Sequence, residues 1–244
     1  MNVEFRSSAC HQPTSNRLLA ALPAEDLAYL APALDTVHVD VGAILYEPGE
    51  LIRNIYFPND SLISRMAVGE GRMTLEVGLV GSEGMLDASV ALGQEVAQVR
   101  AVVQRAGTAS CIDSAHFCAE FKKIPSLQRV LYRYTDALLA QAIQIAVCSR
   151  FHVLEARLAR SLLITRDRLQ SEKFHLTHEF LAHALGVRRV GVTKAASTLQ
   201  RQKLIMYSRG NIEILDALGL AAVSCRCYEI VKNSGASASA NAFL

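Results

Sequence analysis

The sequence lacks any apolar run that could cross a membrane. No run reaches the roughly 18 residues that a membrane-spanning helix requires. The N-terminus also lacks the charged-then-apolar pattern of a signal peptide, so we expect a cytoplasmic protein with no membrane partner. Catalytic motifs are missing as well, since the chain contains no Gly-x-Ser-x-Gly, no His-Glu-x-x-His and no phosphate-binding P-loop. We therefore predict no catalytic residues and no enzymatic activity.

The cysteines lack the close, repeated spacing of a zinc or iron–sulfur site. Six are scattered along the chain: Cys10, Cys111, Cys118, Cys148, Cys225 and Cys227. Around Cys225 and Cys227 we predict one continuous helix, on which residues two apart point to different faces, so packing explains this pair better than metal. Cys10 alone cannot hold a four-thiolate cluster. The dispersed histidines leave haem ligation open only at His11 and His38, and we predict no metal and no cofactor.

Acidic residues are missing from one long stretch. Val187 to Gly210 contains six Lys/Arg and no Asp/Glu. Residues 151–230 hold twelve Lys/Arg against seven Asp/Glu, an excess of five, whereas the whole chain carries +2, so the rest is net acidic by three. This asymmetry is expected when one domain binds nucleic acid and the other does not.

The stretch from Thr177 to Asn211 has the pattern of a winged helix-turn-helix. Thr177 suits the N-cap of a first helix, and Gly186 permits a left-handed turn before a second. The apolar residues at inward helical spacing are Leu181, Ala182, Leu185, Val192, Ala195 and Leu199. Downstream, apolar runs flank Ser208–Asn211, which has the turn chemistry of a hairpin tip. This hairpin would form the wing.

Packing does not explain the outward face of the second helix or the tip of the wing. The predicted DNA-binding residues are Thr177, Arg188, Arg189, Val190, Thr193, Lys194, Ser197 and Arg209. Such a helix fits the major groove, where arginine reads guanine edges and Thr, Ser and Lys hold phosphates. The alternative is a solvated core helix with no ligand. Because the glycine, the inward faces, the acid-free stretch and the wing agree, we predict binding to double-stranded DNA.

A β-rich region precedes these helices. From Asp35 to Cys111, short runs of Val, Ile, Leu and Thr are broken by Gly or Pro about every ten residues. Evenly spaced strands of this kind predict an all-β sandwich or barrel, here a jelly-roll-like β-roll. Together with the helices that follow, this predicts an α+β chain.

A long helix beginning at Pro125 carries an apolar stripe with steps of three and four residues. The stripe residues predicted to form a dimer seam are Leu131, Tyr134, Leu138, Gln141 and Ile145, with Cys148 continuing the series. A long helix between two compact domains would expose this stripe unless a partner covered it, which favours a homodimer. The alternative is a monomer whose stripe lies against its own β domain.

Five segments follow from these patterns. We predict a flexible N-terminus at 1–17, a β-roll sensor domain at 18–124, a dimerisation helix at 125–150, a winged helix-turn-helix domain at 151–231 and a flexible tail at 232–244. A β domain, a long helix and a winged helix-turn-helix in this order resemble the Crp/Fnr family of bacterial transcription regulators. The resemblance is most specific in LTHEFLAHALGVRRVGVTKAASTLQRQKLI, GAILYEPGE and NIYFPNDSLIS.

The resemblance implies roles for individual residues of the second helix. Arg189 falls where the family places its base-reading arginine, and Lys194 falls where a second basic residue often follows. Val190 stands where many members have glutamate, which implies a different operator because an apolar side chain prefers a thymine methyl group. The implied partners are a pseudo-palindromic DNA operator, a second copy of the chain and, as a further candidate, RNA polymerase.

The family's nucleotide-binding cassette is matched only at its start. The candidate ligand-binding residues are Gly81, Glu83, Gly84 and Arg100. Where the cassette has adjacent Arg and Ser/Thr residues, this chain reads Glu95–Gln98, which argues against a cyclic nucleotide. We expect a dimeric DNA-binding regulator whose β-roll senses an unidentified signal and controls the orientation of the helix-turn-helix. The alternative is a cyclic-nucleotide or other small-ligand sensor in which DNA binding is lost or secondary.

Overall fold

The structure, a computed structural model, describes residues 15–71 and 73–240, and for 234–240 it describes the backbone only. Most of the predicted flexible N-terminus, including Cys10 and His11, therefore lies outside the described residues, as does 241–244. The first helix, α1 (Arg17–Ala20), is capped by the side chain of Asn16, which accepts a hydrogen bond from the Leu19 amide. The second helix, α2 (Ala24–Leu30), follows Pro23.

Seven strands form the β domain in two layers. They are β1 (Asp35–Val39), β2 (Ile44–Tyr46), β3 (Asn54–Pro58), β4 (Leu62–Val68), β5 (Thr74–Val80), β6 (Arg100–Arg105) and β7 (Gly107–Asp113). One sheet has the order β1-β7-β3 and the other has the order β2-β6-β4-β5. β7 pairs antiparallel with both β1 and β3, with Cys111 opposite Asp35 on one side and Tyr56 on the other. This is the sandwich that the strand spacing predicts.

The core of this domain lies between the two sheets. The first sheet contributes three fully buried side chains, Val37 of β1 and Ile55 and Phe57 of β3. The second sheet contributes Ile63 of β4 and Ala101 of β6, which are also fully buried. Alternation along each strand places these side chains inward. Aromatic packing extends the core to the next helix, because the rings of Phe57 and Phe117 lie 6.1 Å apart.

Three helices follow the sandwich. Asp113 caps α3 (Ser114–Lys123) by accepting a hydrogen bond from the His116 amide at 3.0 Å. Next come α4 (Pro125–Phe151), the long helix predicted to begin at Pro125, and α5 (Leu154–Leu169).

The C-terminal elements form a winged helix-turn-helix. They are β8 (Lys173–His175), α6 (His178–Leu185), α7 (Arg189–Arg201), β9 (Ile205–Ser208), β10 (Asn211–Ile214), α8 (Ala217–Val223) and α9 (Cys227–Ala240). The wing is a three-stranded sheet of order β8-β10-β9. The sequence predicts the hairpin of β9 and β10, but it does not predict the short strand β8.

One prediction for the last helices is wrong. The sequence predicts a single helix from the cap at Asp216 to Val231, whereas the structure has α8 and α9 with a break at Ser224–Arg226. Ser224 and its neighbours leave the helical conformation, since the backbone of Ser224 is extended (ψ 165°). The second helix then continues past Val231 to Ala240.

Contacts divide the chain into two compact units. Among the described residues, one takes in 15–65, 79–139 and 235–240, and the other takes in 66–71, 73–78 and 140–234. Across the described ranges, 15–71 and 73–240, no helix combines the length and apolar character needed to span a bilayer.

Candidate nucleic-acid interface

The turn between α6 and α7 is fixed at both ends. The Thr177 hydroxyl accepts a hydrogen bond from the Phe180 amide at 3.1 Å, which caps α6. Gly186 ends that helix in the left-handed region (φ 64°), and its amide and that of Val187 bond back to the carbonyls of α6. Thr177 and Gly186 therefore have the structural roles that the sequence assigns to them.

Apolar packing sets which face of α7 is turned away from solvent. The buried residues of this helix are Val192, Ala195, Ala196 and Leu199. From α5, the buried guanidinium of Arg157 donates a hydrogen bond to the carbonyl of Leu185, in the last turn of α6. This bond satisfies a carbonyl that has no partner within its own helix.

The outward face of α7 carries the side chains predicted to bind DNA. All eight predicted residues are exposed: Thr177, Arg188, Arg189, Val190, Thr193, Lys194, Ser197 and Arg209. Val190, also on this face, has 60% of its surface exposed. An exposed valine among cations leaves a methyl-sized apolar contact available to a ligand.

The cations of this face are not neutralised by the chain itself. Within the described part of the chain, Arg188, Arg189, Lys194 and Arg209 form no ion pair with a carboxylate. Unpaired surface cations raise the local positive potential, and this favours a polyanion.

His178, at the start of α6, contacts both α7 and the wing, and the sequence did not indicate this role. Its ring stacks on Tyr207 of β9 with centroids 4.1 Å apart, and its Nδ1 lies 3.0 Å from the hydroxyl of Thr193. Partial burial, with a smaller contribution from Arg189, lowers the pKa of His178. The Thr193 hydroxyl also donates to the carbonyl of Arg189 at 3.1 Å, so its orientation on α7 is fixed from two sides.

The wing tip requires a two-residue turn with unusual backbone angles. Arg209 (φ 50°) and Gly210 (φ 87°) both lie at positive φ, as a tight turn of the primed type demands. A Cβ on Gly210 would stand 2.4 Å from Cε1 of the His175 ring, so only glycine fits. This turn projects the exposed Arg209 at the tip of the hairpin.

Comparison with known proteins identifies this arrangement. Residues 156–223 match the family of Crp-like helix-turn-helix domains. The chain has the Crp/Fnr fold and a Crp-like helix-turn-helix domain. No curated protein matches the sequence.

Solved structures of Crp/Fnr regulators share the fold over nearly their whole length. A Crp/Fnr regulator of Eubacterium rectale is 18% identical with a TM-score of 0.65, over 84% of this chain and 96% of that one. FixK2 of Bradyrhizobium japonicum is 14% identical with a TM-score of 0.68, over 79% and 98%. CLP of Xanthomonas campestris, described as responsive to c-di-GMP, is 15% identical with a TM-score of 0.66, over 79% and 99%.

In the Crp/Fnr β-roll, the candidate ligand residues already have partners within the chain. The carboxylate of Glu83 accepts a hydrogen bond from the Gly81 amide at 3.1 Å and lies 3.8 Å from the Arg17 guanidinium. The carbonyl of Gly84 accepts a hydrogen bond from the Asn16 side-chain amide at 2.9 Å. A Cβ on Gly84 would fall 2.1 Å from the Tyr134 hydroxyl oxygen. The Gly81–Gly84 segment is thus held by the domain's own residues.

Arg100, the remaining candidate, donates a hydrogen bond from Nε to Glu47 at 2.9 Å. A phosphate would have to compete with this carboxylate. A cavity of about 370 Å³ on the same domain is lined by other residues: Leu45, Tyr46, Glu50, Leu51, Arg53, Asn54 and Tyr56. This cavity is separate from the Gly81–Gly84 segment and from Arg100.

The residues of the predicted seam on α4 are covered by the chain itself. Leu131 and Tyr134 belong to the core of the β domain, where the Tyr134 hydroxyl donates to the carbonyl of Met85 at 3.0 Å, and Leu138 packs against the same core. Gln141 and Ile145 are each 5% exposed. The alternative that the sequence left open, a stripe lying on its own β domain, describes Leu131, Tyr134 and Leu138.

The expectation that Cys225 and Cys227 point apart is wrong. Cys225 lies in the break between α8 and α9, and Cys227 begins α9, so helical spacing does not separate them. Both are buried together with Cys148 in one small cluster. Three thiols that the sequence predicts to be dispersed therefore lie side by side.

Proposed function

We propose that this protein is a homodimeric, sequence-specific DNA-binding regulator of transcription rather than an enzyme. The observation that carries the proposal is the exposed face of α7, where arginines, hydroxyls and one apolar side chain lie together with no acidic neighbour between Val187 and Gly210. In a major groove, Arg189 would read a base edge, Val190 would meet a thymine methyl group, and Lys194 and Ser197 would hold phosphates.

Arg209 would bind a phosphate beside the major groove. Arg209 lies in the tight turn that joins β9 and β10, where its side chain is exposed. Among the described residues it forms no ion pair. Contacts of this kind position a protein on DNA without reading the sequence.

The second protomer would pack on the exposed apolar residues of α4. These are Tyr132, Leu139, Ile143 and Val147, each at least 40% exposed. Their spacing of seven, four and four residues places them on one side of a helix, roughly opposite the buried residues Leu131 and Ile145. An exposed apolar stripe of this length is costly in water unless a partner covers it.

The β-roll would act as the sensor. Its cavity lined by Leu45, Leu51 and Arg53 offers apolar walls with one cation, which suits a small polar ligand. A ligand that binds this cavity more tightly in one dimer arrangement would shift the orientation of the helix-turn-helix.

Selection from a random duplex library tests the proposal directly. The intact chain should enrich a pseudo-palindrome with half-sites one helical turn apart, about 34 to 36 Å. Arg189→Glu should abolish the enrichment, whereas Lys122→Glu, a charge reversal at an exposed position of α3, should preserve it. Enrichment of no common sequence by the native chain would contradict the proposal and favour a sensor that acts without reading DNA.

A further inference from the structure

Four side chains with metal-binding atoms meet at the ends of three helices. Cys148 lies in the last turn of α4, His152 directly follows that helix, Cys225 occupies the break before α9, and Cys227 is the first residue of α9. Their sulfur and imidazole nitrogen atoms all lie within 4.8 Å of one another. Two of these separations are 3.4 Å, between the Sγ atoms of Cys148 and Cys225 and between Cys227 Sγ and His152 Nδ1.

Local structure explains why these residues converge. Cys148 and His152 are four residues apart, and the His152 amide bonds to the Cys148 carbonyl at 3.2 Å, so one last helical turn brings both to the same side. The break in the C-terminal helix turns Cys225 and Cys227 toward the same point. A continuous helix, as the sequence predicts, would have separated them.

The spacing of the four atoms suits a single ion. Around a tetrahedral zinc with bonds of about 2.0 to 2.3 Å, neighbouring ligand atoms are separated by about 3.5 to 3.8 Å. A polynuclear iron–sulfur cluster would hold its thiolates farther apart, because different iron atoms bind different cysteines. The set of three sulfurs and one nitrogen is also a common zinc donor set.

The surroundings of the cluster favour a closed site. The exposed fractions of Cys148, Cys225 and Cys227 are 0%, 7% and 1%. The amide of Gln144 donates from Nε2 to Cys227 Sγ at 2.9 Å, the kind of supporting hydrogen bond that orients a metal-bound thiolate. All four coordination positions would come from the protein, which is typical of a structural site.

Two buried arginines next to the cysteines provide an independent observation. Arg157 and Arg160 are each 8% exposed, and the Nε of each is buried without a hydrogen-bond partner. Within the described ranges neither forms an ion pair with a carboxylate, and both interact electrostatically with the thiol of Cys148. A zinc ion with three thiolates and a neutral imidazole carries one net negative charge, which would offset one of the two buried positive charges.

We propose that Cys148, His152, Cys225 and Cys227 bind one zinc ion in a tetrahedral structural site. Each cysteine loses its proton to solvent on binding, and His152 coordinates through Nδ1 in its neutral form. The ion cross-links the C-terminal end of α4 to the break between α8 and α9. This site is independent of the proposed DNA-binding function, because none of its ligands lies on the exposed face of α7.

Metal analysis of the full chain, expressed in zinc-supplemented medium and purified without chelator, tests the proposal. We expect about one zinc per chain. After removal of zinc, addition of Co²⁺ should produce the intense visible bands of tetrahedral cobalt together with near-ultraviolet thiolate-to-cobalt absorption. Apo protein should melt several degrees lower than zinc-bound protein, and this comparison requires no substitution.

Variants locate the ion. Cys227→Ser should weaken zinc binding at least tenfold and reduce the thiolate-to-cobalt absorption, and His152→Ala should weaken binding while retaining that absorption. The matched control Cys118→Ser, at a half-buried cysteine of α3, should behave like the native chain.

Four results would overturn the assignment. They are absence of stoichiometric zinc and of cobalt bands, unchanged binding in both site variants, iron with labile sulfide in anaerobically purified protein, or a Cys148–Cys225 disulfide in the anaerobically purified native chain.

Discussion

Asp87 is a carboxyl group in the interior of the β-roll. It is 3% exposed, and its Oδ2 has no hydrogen-bond partner. Desolvation raises the pKa of Asp87 to about 6, although Arg65 opposes this shift. Because this folded-state pKa lies above the unfolded value of 3.8, the protonated acid stabilises the fold below pH 4, and that stability is lost as the pH rises through 6.

Asp87→Asn should therefore raise the melting temperature at pH 7.5. The gain corresponds to at most about 3 kcal/mol, the free energy of a shift of roughly two pKa units. Asparagine also tolerates the left-handed backbone at this position (φ 56°). Thermal unfolding of both proteins between pH 4 and 7.5 measures the effect, and a stability difference that does not shrink toward pH 4 would contradict it.

The buried and exposed faces of α7 could be predicted from the sequence because helical periodicity separates them. Once Val192, Ala195 and Leu199 are assigned inward, Lys194 must point outward, whereas Arg189 falls at the edge of the inward face, in the first turn of the helix. His178 could not be predicted, because its role depends on Tyr207 in the wing, which is brought near only by tertiary packing. The same limit applies to Cys148 and His152, because the other two residues of the proposed zinc site, Cys225 and Cys227, come from the other end of the domain.

The helix α4 shows how periodicity can identify an element without identifying its partner. Its bounds agree with the sequence to within one residue at the C-terminal end. A buried stripe looks the same in sequence whether the chain itself or a second copy covers it. Gly84 makes the difference here, because the absence of a Cβ lets Tyr134 pack against the β domain.

The strand β7 lacks the run of large apolar residues from which strands are predicted. β7, with the sequence GTASCID, is rich in small residues, yet it lies between β1 and β3 and pairs with both. Small side chains are needed there, since a Cβ on Gly107 would fall 2.7 Å from the Ser61 amide nitrogen. The strand is stabilised by its two neighbours rather than by its own β propensity.

On α4, the substitution Leu139→Glu should disrupt the homodimer. Leu139 is 60% exposed within one chain, so the substitution should leave the monomer folded while placing a charge in the seam that we propose. Sedimentation velocity should show a monomer whose circular dichroism is unchanged.

Leu218→Glu is the matched control, because Leu218 of α8 is 86% exposed and lies outside the proposed seam. This variant should remain dimeric. If Leu139→Glu also sediments as a folded dimer, the seam lies on another surface.

At the scale of the whole molecule, the proposed dimerisation determines how the proposed DNA contacts add up. A two-fold dimer presents two copies of α7, so each substitution on that helix acts twice on a pseudo-palindromic site. The positive charge of the chain is concentrated in residues 151–230, which contain α7 and the wing. Affinity should therefore fall steeply with salt for every sequence, whereas preference among sequences should depend on few side chains.

The most direct test compares Arg189→Ala with Arg209→Ala on cognate and scrambled duplexes across a salt series. Arg189→Ala should cost about 1 to 3 kcal/mol per half-site on the cognate duplex and leave scrambled DNA nearly unaffected. Arg209→Ala should weaken both duplexes alike and reduce the salt slope by about one unit for each phosphate that the variant no longer binds. If Arg189→Ala instead weakens cognate and scrambled DNA equally, this arginine binds a phosphate, and α7 does not read bases as proposed.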